Sequence, residues 1–272
     1  MTPYYFESGS RRLLGLYHPP EAGRAPRSAV VFCNPFGQEA IRSHRMYRVL
    51  ADRMARSGYA ALRFDYSCTG DSAGECTAGR LANWVEDVRA ADREVASRSG
   101  ATHVTWVGLR LGANLALLAA DRETSRQLNL VLWDPVMSGA TYLQELARAH
   151  VGFLSTVFRW NTGRVTRSRG IGALGAMQEL VGFEIPPSLR GEIEAIDLGV
   201  HRPVAASTVT ILGDQPSPTY APLRDGIARA GIDVRYVPVE PDAPWNSEEA
   251  LNASTIPART LDALLAAVES PK

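Results

Sequence analysis

The residues that could do chemistry centre on the pentapeptide Gly-Leu-Arg-Leu-Gly at positions 108–112. An apolar, β-rich run at 104–107 precedes it, and an Ala/Leu run with helix-forming preference follows it at 113–118. This is the strand, sharp turn and helix of a nucleophile elbow, Gly-x-Ser-x-Gly, whose glycines let neighbouring backbones approach closely. The tip of such an elbow is the nucleophile, but here it is Arg110. Because a guanidinium keeps its proton at any working pH, it cannot attack a carbonyl.

Arg110 would lie at the N-terminus of a helix, where the positive end of the macrodipole disfavours a cation. Burying it without a partner would be costly, so we expect a carboxylate or a bound anion beside it. One interpretation is an internal salt bridge to Asp214, Asp134 or Glu39 that fills a former active site. The other is a guanidinium fork that binds a substrate carboxylate, phosphate or enolate. The sequence leaves both open.

Four further side chains are candidates for a site. His44 lies just beyond the loop 34–39 and could reach a pocket mouth, or it could be a capping or surface histidine. Cys68 is on a loop at the carboxyl end of a strand, where α/β sites form. Its thiol could replace the nucleophile if a base lowered its pKa, but an ordinary cysteine is the alternative. Tyr142 and Trp245 are expected as pocket-wall or core aromatics.

The elements that must position these residues alternate along the first half of the chain. Apolar runs at 28–33, 59–64 and 128–133 predict buried strands, and Ser43 could cap a helix that continues to about residue 56. Such alternation implies right-handed crossovers and a mostly parallel sheet, and therefore an α/β fold. The short runs 4–8 and 12–17 predict an antiparallel hairpin at the sheet edge.

This alternation stops between about residues 139 and 203. Helical stretches are predicted there, without strands, at 142–158, 173–181 and 189–198. Strands and helices then resume at 207–212, 221–230, 232–239 and 258–268. We therefore predict a core made of 1–138 and 204–272, with a helical cap insertion at 139–203 over the carboxyl ends of the strands. The alternative is that the insertion only packs as structure.

Composition and charge restrict the function classes. The 272 residues include 29 Lys and Arg against 29 Asp and Glu, so no overall charge attracts nucleic acid or an anionic membrane. No secretory leader or membrane-length apolar run is recognisable. Three cysteines without metal spacing favour a reducing, cytoplasmic setting. No metal cluster or glycine-rich phosphate loop is evident, so no cofactor is expected, and a homodimer is left open.

Several phrases carry a family resemblance. They are Cys-Asn-Pro-Phe-Gly-Gln-Glu at 33–39, Ser-His-Arg-Met-Tyr-Arg at 43–48, Leu-Arg-Phe-Asp-Tyr at 62–66, Gly-Asp-Ser-Ala-Gly at 70–74, Trp-Asp-Pro-Val at 133–136 and Tyr-Leu-Gln-Glu-Leu at 142–146. They resemble bacterial serine-aminopeptidase-like α/β-hydrolases, especially the exosortase-associated hydrolases, with which we also associate the Gly-Leu-Arg-Leu-Gly elbow. The resemblance covers roughly residues 10 to 240 and implies an α/β-hydrolase fold.

The same resemblance assigns roles to individual positions. The loop 34–39 lies where the family supplies one oxyanion-hole amide, so Phe36 or Gly37 is the expected donor, and Leu111 would offer the second amide. Asp214 matches the triad acid. The family's histidine should lie after the last strand, but the loop 241–247 contains none. Two of three triad members are absent, which argues against Ser-His-Asp catalysis.

Three functions follow as hypotheses. The leading one is a degenerate α/β-hydrolase of bacterial biosynthesis that binds a small acyl or carboxylate-bearing metabolite and acts by non-covalent cyclase, lyase or acid–base chemistry. The second is an esterase, thioesterase or acyltransferase with a displaced nucleophile. The third is a non-catalytic pseudohydrolase scaffold, which predicts a filled pocket and an internally paired Arg110.

Overall fold

The computed structural model describes residues 1–21, 26, 28–121, 127–158, 178–200, 204–213, 218–240 and 258–270. The strands are β1 (Thr2–Ser8), β2 (Arg11–His18), β3 (Ala29–Cys33), β4 (Ala60–Phe64), β5 (His103–Leu109), β6 (Gln127–Trp133), β7 (Glu179–Leu180), β8 (Phe183–Glu184), β9 (Thr208–Gly213) and β10 (Asp233–Pro238). The α-helices are α1 (Gln38–Arg56), α2 (Leu81–Ser99), α3 (Leu111–Ala119), α4 (Gly139–Phe158), α5 (Pro187–Glu194), α6 (Ala221–Arg229) and α7 (Ala258–Glu269).

Eight of these strands form one sheet in the order β1-β2-β4-β3-β5-β6-β9-β10. The pairs β1–β2 and β2–β4 are antiparallel, and every other neighbouring pair is parallel. The predicted mostly parallel sheet and the hairpin at its edge are therefore confirmed. The carboxyl ends of the parallel strands meet at one edge, where the candidate residues must converge.

Helices cover both faces of the sheet. Every residue of β3 and β4 is buried, as expected of strands covered on both faces, including Arg63 of β4. On one face α2 and α3 contribute Trp84 and Leu115 to the core, and on the other α1 and α7 contribute Leu50 and Leu264. None of the described helices is long and apolar enough to cross a membrane.

The start of α1 differs from the prediction. The helix begins at Gln38, directly after Gly37 with φ 59°, so Ser43 is not its cap. Ser43 is buried inside the helix and donates to the Ala40 carbonyl oxygen at 3.3 Å. Glu39 consequently lies in the first helical turn, where the helix N-terminus favours a carboxylate.

The prediction of a strand-free insertion was wrong. The helices α4 and α5 are present, but β7 and β8 form an antiparallel hairpin between them. Its two turn residues, Val181 and Gly182, have φ values of 53° and 85°, the backbone of a type I′ hairpin turn. A β-branched residue is unusual at positive φ, which conceals this turn in the sequence. Of the predicted helix at 173–181, residues 173–177 lie outside the described part of the chain.

Candidate active site

The predicted elbow is present at the centre of the sheet. Arg110 is the only residue between β5 and α3, with φ 52° and ψ −123°. A Cβ on Gly112 would lie 2.2 Å from the Cys33 carbonyl oxygen, and one on Gly108 would lie 2.5 Å from the Gly112 carbonyl oxygen. Both glycines are therefore required by close backbone approach. The positive φ of Arg110 is strained for a residue with a side chain.

The Arg110 guanidinium contacts carboxylates from three different elements. Nε donates to Glu39 Oε1 at 3.1 Å, and Nη2 donates to Glu145 Oε2 at 2.5 Å. Nη1 lies 3.4 Å from Asp134 Oδ2. Glu39 is on α1, Asp134 follows β6 and Glu145 is on α4. We refer to these four residues as the Arg110 cluster.

Two of these partners were among the alternatives that the sequence left open, and one was not. Glu39 and Asp134 were candidates, whereas Asp214 lies outside the described residues. Glu145 was missed as a partner, although it lies three residues after Tyr142. On a helix this spacing puts two side chains on one face, which is the signal that could have found it.

Two tyrosines complete the hydrogen bonding of the cluster. The Tyr142 hydroxyl donates to Glu39 Oε2 at 2.7 Å, and its ring centroid lies 5.1 Å from the Arg110 guanidinium carbon. The Tyr220 hydroxyl donates to Asp134 Oδ1 at 2.6 Å. Glu39 and Asp134 are therefore each shared between Arg110 and a tyrosine. Tyr142 itself is buried.

The cluster holds one positive group against three negative ones, a formal charge of −2 when all are ionised. Burial would lower the pKa of Arg110, but the charges of Glu39 and Asp134 raise it above its ordinary value. Burial also raises the pKa of Glu39, against the opposing influence of Arg110 and Tyr142. The guanidinium therefore stays charged. Each of its three nitrogens already faces a carboxylate, so a ligand anion would have to displace one.

A cavity of about 400 Å³ opens beside the elbow, within the range of small-molecule sites. The loop 34–37 and Leu111 line it. The residues expected to supply the oxyanion-hole amides, Phe36 or Gly37 and Leu111, therefore all border this space. Phe183, Glu184 and Leu189, which belong to the predicted insertion, also line it. Arg110 is not among the described residues that line the cavity.

Aromatic rings form much of the cavity wall. Tyr66 and Trp84 are stacked with ring centroids 5.5 Å apart, and Phe36 lies 6.0 Å from Trp84. Phe183 of β8 meets Phe36 edge-on at 6.3 Å. The hairpin β7–β8 thus completes the aromatic wall, because its Phe183 packs against the loop that follows β3.

His44 and Asp65 are two of the titratable side chains that border the cavity. His44 is exposed on α1, and partial burial together with the charge of Arg63 lowers its pKa, so the ring is neutral at pH 7. Burial raises the pKa of Asp65, whose Oδ2 accepts a hydrogen bond from the Asp71 amide at 3.0 Å. Asp65 is not one of the residues that the sequence alone suggested for the site. Its position at the carboxyl end of β4 is the signal that could have found it.

Cys68 also lines the cavity, but its thiol is not activated. It has φ 64° and is buried, and burial together with the charge of Asp87 raises its pKa. A nucleophilic cysteine needs the opposite shift. This geometry disfavours Cys68 as a replacement nucleophile. Trp245, the remaining candidate, lies outside the described residues.

The family described as serine aminopeptidase, S33, matches residues 24–175, which is 152 of the 272 residues. The chain belongs to this family. No curated protein sequence matches it. Membership is consistent with the elbow and the sheet order described above.

Solved structures show the same fold. Proline iminopeptidase from Mycobacterium smegmatis is 15% identical with a TM-score of 0.61, covering 97% of this chain and 96% of that one. The enol-lactonase from Burkholderia xenovorans LB400 is 16% identical with a TM-score of 0.59, covering 98% and 100%. The bottromycin epimerase BotH, in complex with bottromycin A2, is 19% identical with a TM-score of 0.57, covering 88% and 92%. The α/β-hydrolase fold is confirmed.

Proposed function

We propose that this chain binds a small acyl-type metabolite non-covalently in the cavity beside the elbow, and that Arg110 is a structural group rather than a reagent. The observation that carries the proposal is the occupation of all three guanidinium nitrogens by Glu39, Asp134 and Glu145, next to a cavity that remains open. We also propose that it acts in the cytoplasm of a bacterium, in biosynthesis. Three free thiols fit a reducing compartment, and the single lysine, Lys272, fits the coding bias of a GC-rich bacterial genome.

The chemistry proposed for this cavity is acid–base rather than covalent. A ligand carbonyl oxygen would accept hydrogen bonds from the amide of Phe36 or Gly37 and from that of Leu111. His44, neutral at pH 7 because its pKa is lowered, would serve as the base. The fold tolerates such chemistry, since one of the structures that resembles this chain is an epimerase.

Hydrolysis by the usual triad is not part of the proposal, despite the family's name. Position 110 carries no hydroxyl, and the loop 241–247 carries no histidine. The raised pKa of Cys68 also counts against a displaced nucleophile. A non-catalytic scaffold is the second candidate, because the internal pairing of Arg110 is what that hypothesis predicts. The open cavity counts against it.

The covalent alternative is tested by intact-mass spectrometry after incubation with a fluorophosphonate and an activated acyl ester. We expect the unmodified mass with both reagents. A stoichiometric adduct that maps to one residue would contradict the proposal, because it would reveal a nucleophile that the site geometry does not supply.

Ligand binding is tested with Nile red, a neutral apolar dye whose fluorescence reports an apolar site. We expect saturable binding of one dye per chain. Cys76 lines the cavity and Thr77 does not, although both are exposed on the same turn. Cys76→Trp should therefore fill the cavity and abolish dye binding, whereas Thr77→Trp should not. Absence of dye binding, or the same result in both variants, would show that the cavity is not a ligand site.

A further inference from the structure

We infer that the occupant of this cavity is an organic cation, a protonated or quaternary amine on an apolar body, rather than a carboxylate. The inference rests on the proposed function, because it assumes that the cavity is a ligand site, and it names the charge of that ligand. It departs from the sequence-based expectation that Arg110 would bind a substrate anion.

The aromatic wall of the cavity favours a cation. Phe36, Tyr66, Trp84 and Phe183 all line the cavity, and their neighbouring rings are 5.5 to 6.3 Å apart. The faces of aromatic rings carry a negative quadrupole and attract a cation, most strongly at tryptophan. A carboxylate placed over the same faces would be repelled and would lose its hydration.

The charged side chains at the cavity wall also favour a cation. Among the described lining residues, the charged side chains are Asp65 and Glu184, and none is arginine or lysine. His44 contributes no positive charge at pH 7, because its pKa is lowered. The negative charge of the cavity wall therefore comes from exposed Glu184 and, when it is ionised, from Asp65, whose pKa is raised by burial.

Neighbouring cations do not reverse this sign. Arg110 is outnumbered by its three carboxylates, so the adjoining cluster adds negative charge. Arg63 and Arg48 both act on the pKa of His44, but neither lines the cavity, and the charge of Asp52 acts on Arg63 in turn. A ligand ammonium would therefore meet complementary charge, and a ligand carboxylate would not.

The hairpin β7–β8 places two carboxylates side by side at the edge of the cavity. Glu184 lies directly opposite Glu179 in the register, and both are exposed. Like charges directly opposite one another on paired strands are destabilising. A cation beside Glu184 would relieve this repulsion. Asp65 faces the same cavity with a carboxylate already oriented by the Asp71 amide.

The test compares three probes of similar size but different charge, each titrated against bound Nile red. They are benzyltrimethylammonium, its neutral carbon isostere neopentylbenzene, and 3-phenylpropionate. We expect the cation to bind about tenfold more tightly than the neutral isostere and the carboxylate to bind most weakly. Equal binding of cation and isostere, or preference for the carboxylate, would overturn the inference.

The same titration separates the two proposals. If Nile red binds but none of the three probes displaces it, the charge inference is wrong and the ligand cavity stands. If Nile red does not bind, the proposed function fails, and the inference that rests on it fails as well.

Two hairpin variants give a matched control. Glu184→Gln and Glu179→Gln each remove one of the two opposed charges, so they relieve the same repulsion, but only Glu184 lines the cavity. Glu184→Gln should weaken binding of the cation about threefold and leave the neutral isostere unchanged, and added salt should weaken only the cation. Glu179→Gln should change neither. Equal effects of both variants, or no effect of Glu184→Gln, would contradict the inference.

Discussion

Arg110→Met removes the guanidinium from the elbow while keeping similar bulk and the same backbone requirement, so it isolates the charge. Three carboxylates then lose their cation, with side-chain exposures of 12% for Glu39, 25% for Asp134 and 47% for Glu145. Glu145 is half exposed, so water replaces most of what it loses. Glu39 and Asp134 account for most of the expected loss of stability, because they are more buried than Glu145.

Removing one partner of a fully buried ion pair costs about 3–5 kcal/mol. Because these carboxylates are partly exposed, we expect Arg110→Met to lower the free energy of unfolding by roughly 2–4 kcal/mol at pH 8. For a chain of this size, that corresponds to a fall in Tm of roughly 4–16 °C.

The loss should depend on pH with a defined sign. Burial already raises the pKa of Glu39, and removal of Arg110 raises it further. A carboxyl whose folded-state pKa exceeds its unfolded value of about 4.3 contributes its full stability below that value, and this stability is lost as the pH rises through the folded pKa. The free energy of unfolding that the variant loses should therefore be small near pH 4 and reach its full size at pH 8.

Urea unfolding followed by tryptophan fluorescence over this pH range measures the effect, with the m-value as a check that the transition is unchanged. Arg53→Met is the control, because Arg53 and Asp262 form an exposed pair at 36% and 70% exposure that should contribute at most about 1 kcal/mol. Adding Glu39→Gln to Arg110→Met should recover part of the loss. A deficit below about 1 kcal/mol at pH 8, or an equal deficit at both ends of the range, would refute the reasoning.

Three further predictions follow from the same geometry. Gly112→Ala should lower the free energy of unfolding by about 3 kcal/mol or more, because its Cβ would lie 2.2 Å from a β3 carbonyl oxygen. Gly152→Ala on α4 meets nothing within 4 Å and should raise the free energy of unfolding by up to about 1 kcal/mol. Chemical denaturation compares the two variants, and similar effects would contradict the close approach at Gly112. Maleimide labelling with peptide mapping should modify exposed Cys76 at least about tenfold faster than buried Cys68, whose pKa is raised. Equal labelling rates would mean that the Cys68 thiol is accessible and reactive. Arg110→Ser should not gain turnover of activated acyl esters, because the sequence after the last strand offers no histidine, so measurable acquired turnover would show that another base is present.

Much of the fold could be predicted because its signals are local. The elbow follows from two glycines between a strand-type run and a helix-type run, and the edge hairpin follows from two short β-rich runs around Gly9. The turn at Val181 was hidden because it depends on a backbone conformation that valine rarely adopts. The early start of α1 was hidden because Gly37, rather than a polar cap, begins the helix.

The sequence by itself determined that the tip of the elbow is an arginine, which is a permanent cation, and that residues 239–272 contain no histidine. Only the tertiary structure decided what happens to that cation. Its partners Glu39 and Glu145 are 71 and 35 residues away along the chain, and they meet it because α1 and α4 converge on the carboxyl edge of the sheet. Pairing of side chains so distant in sequence depends on how the elements pack, and no local pattern around Arg110 encodes it.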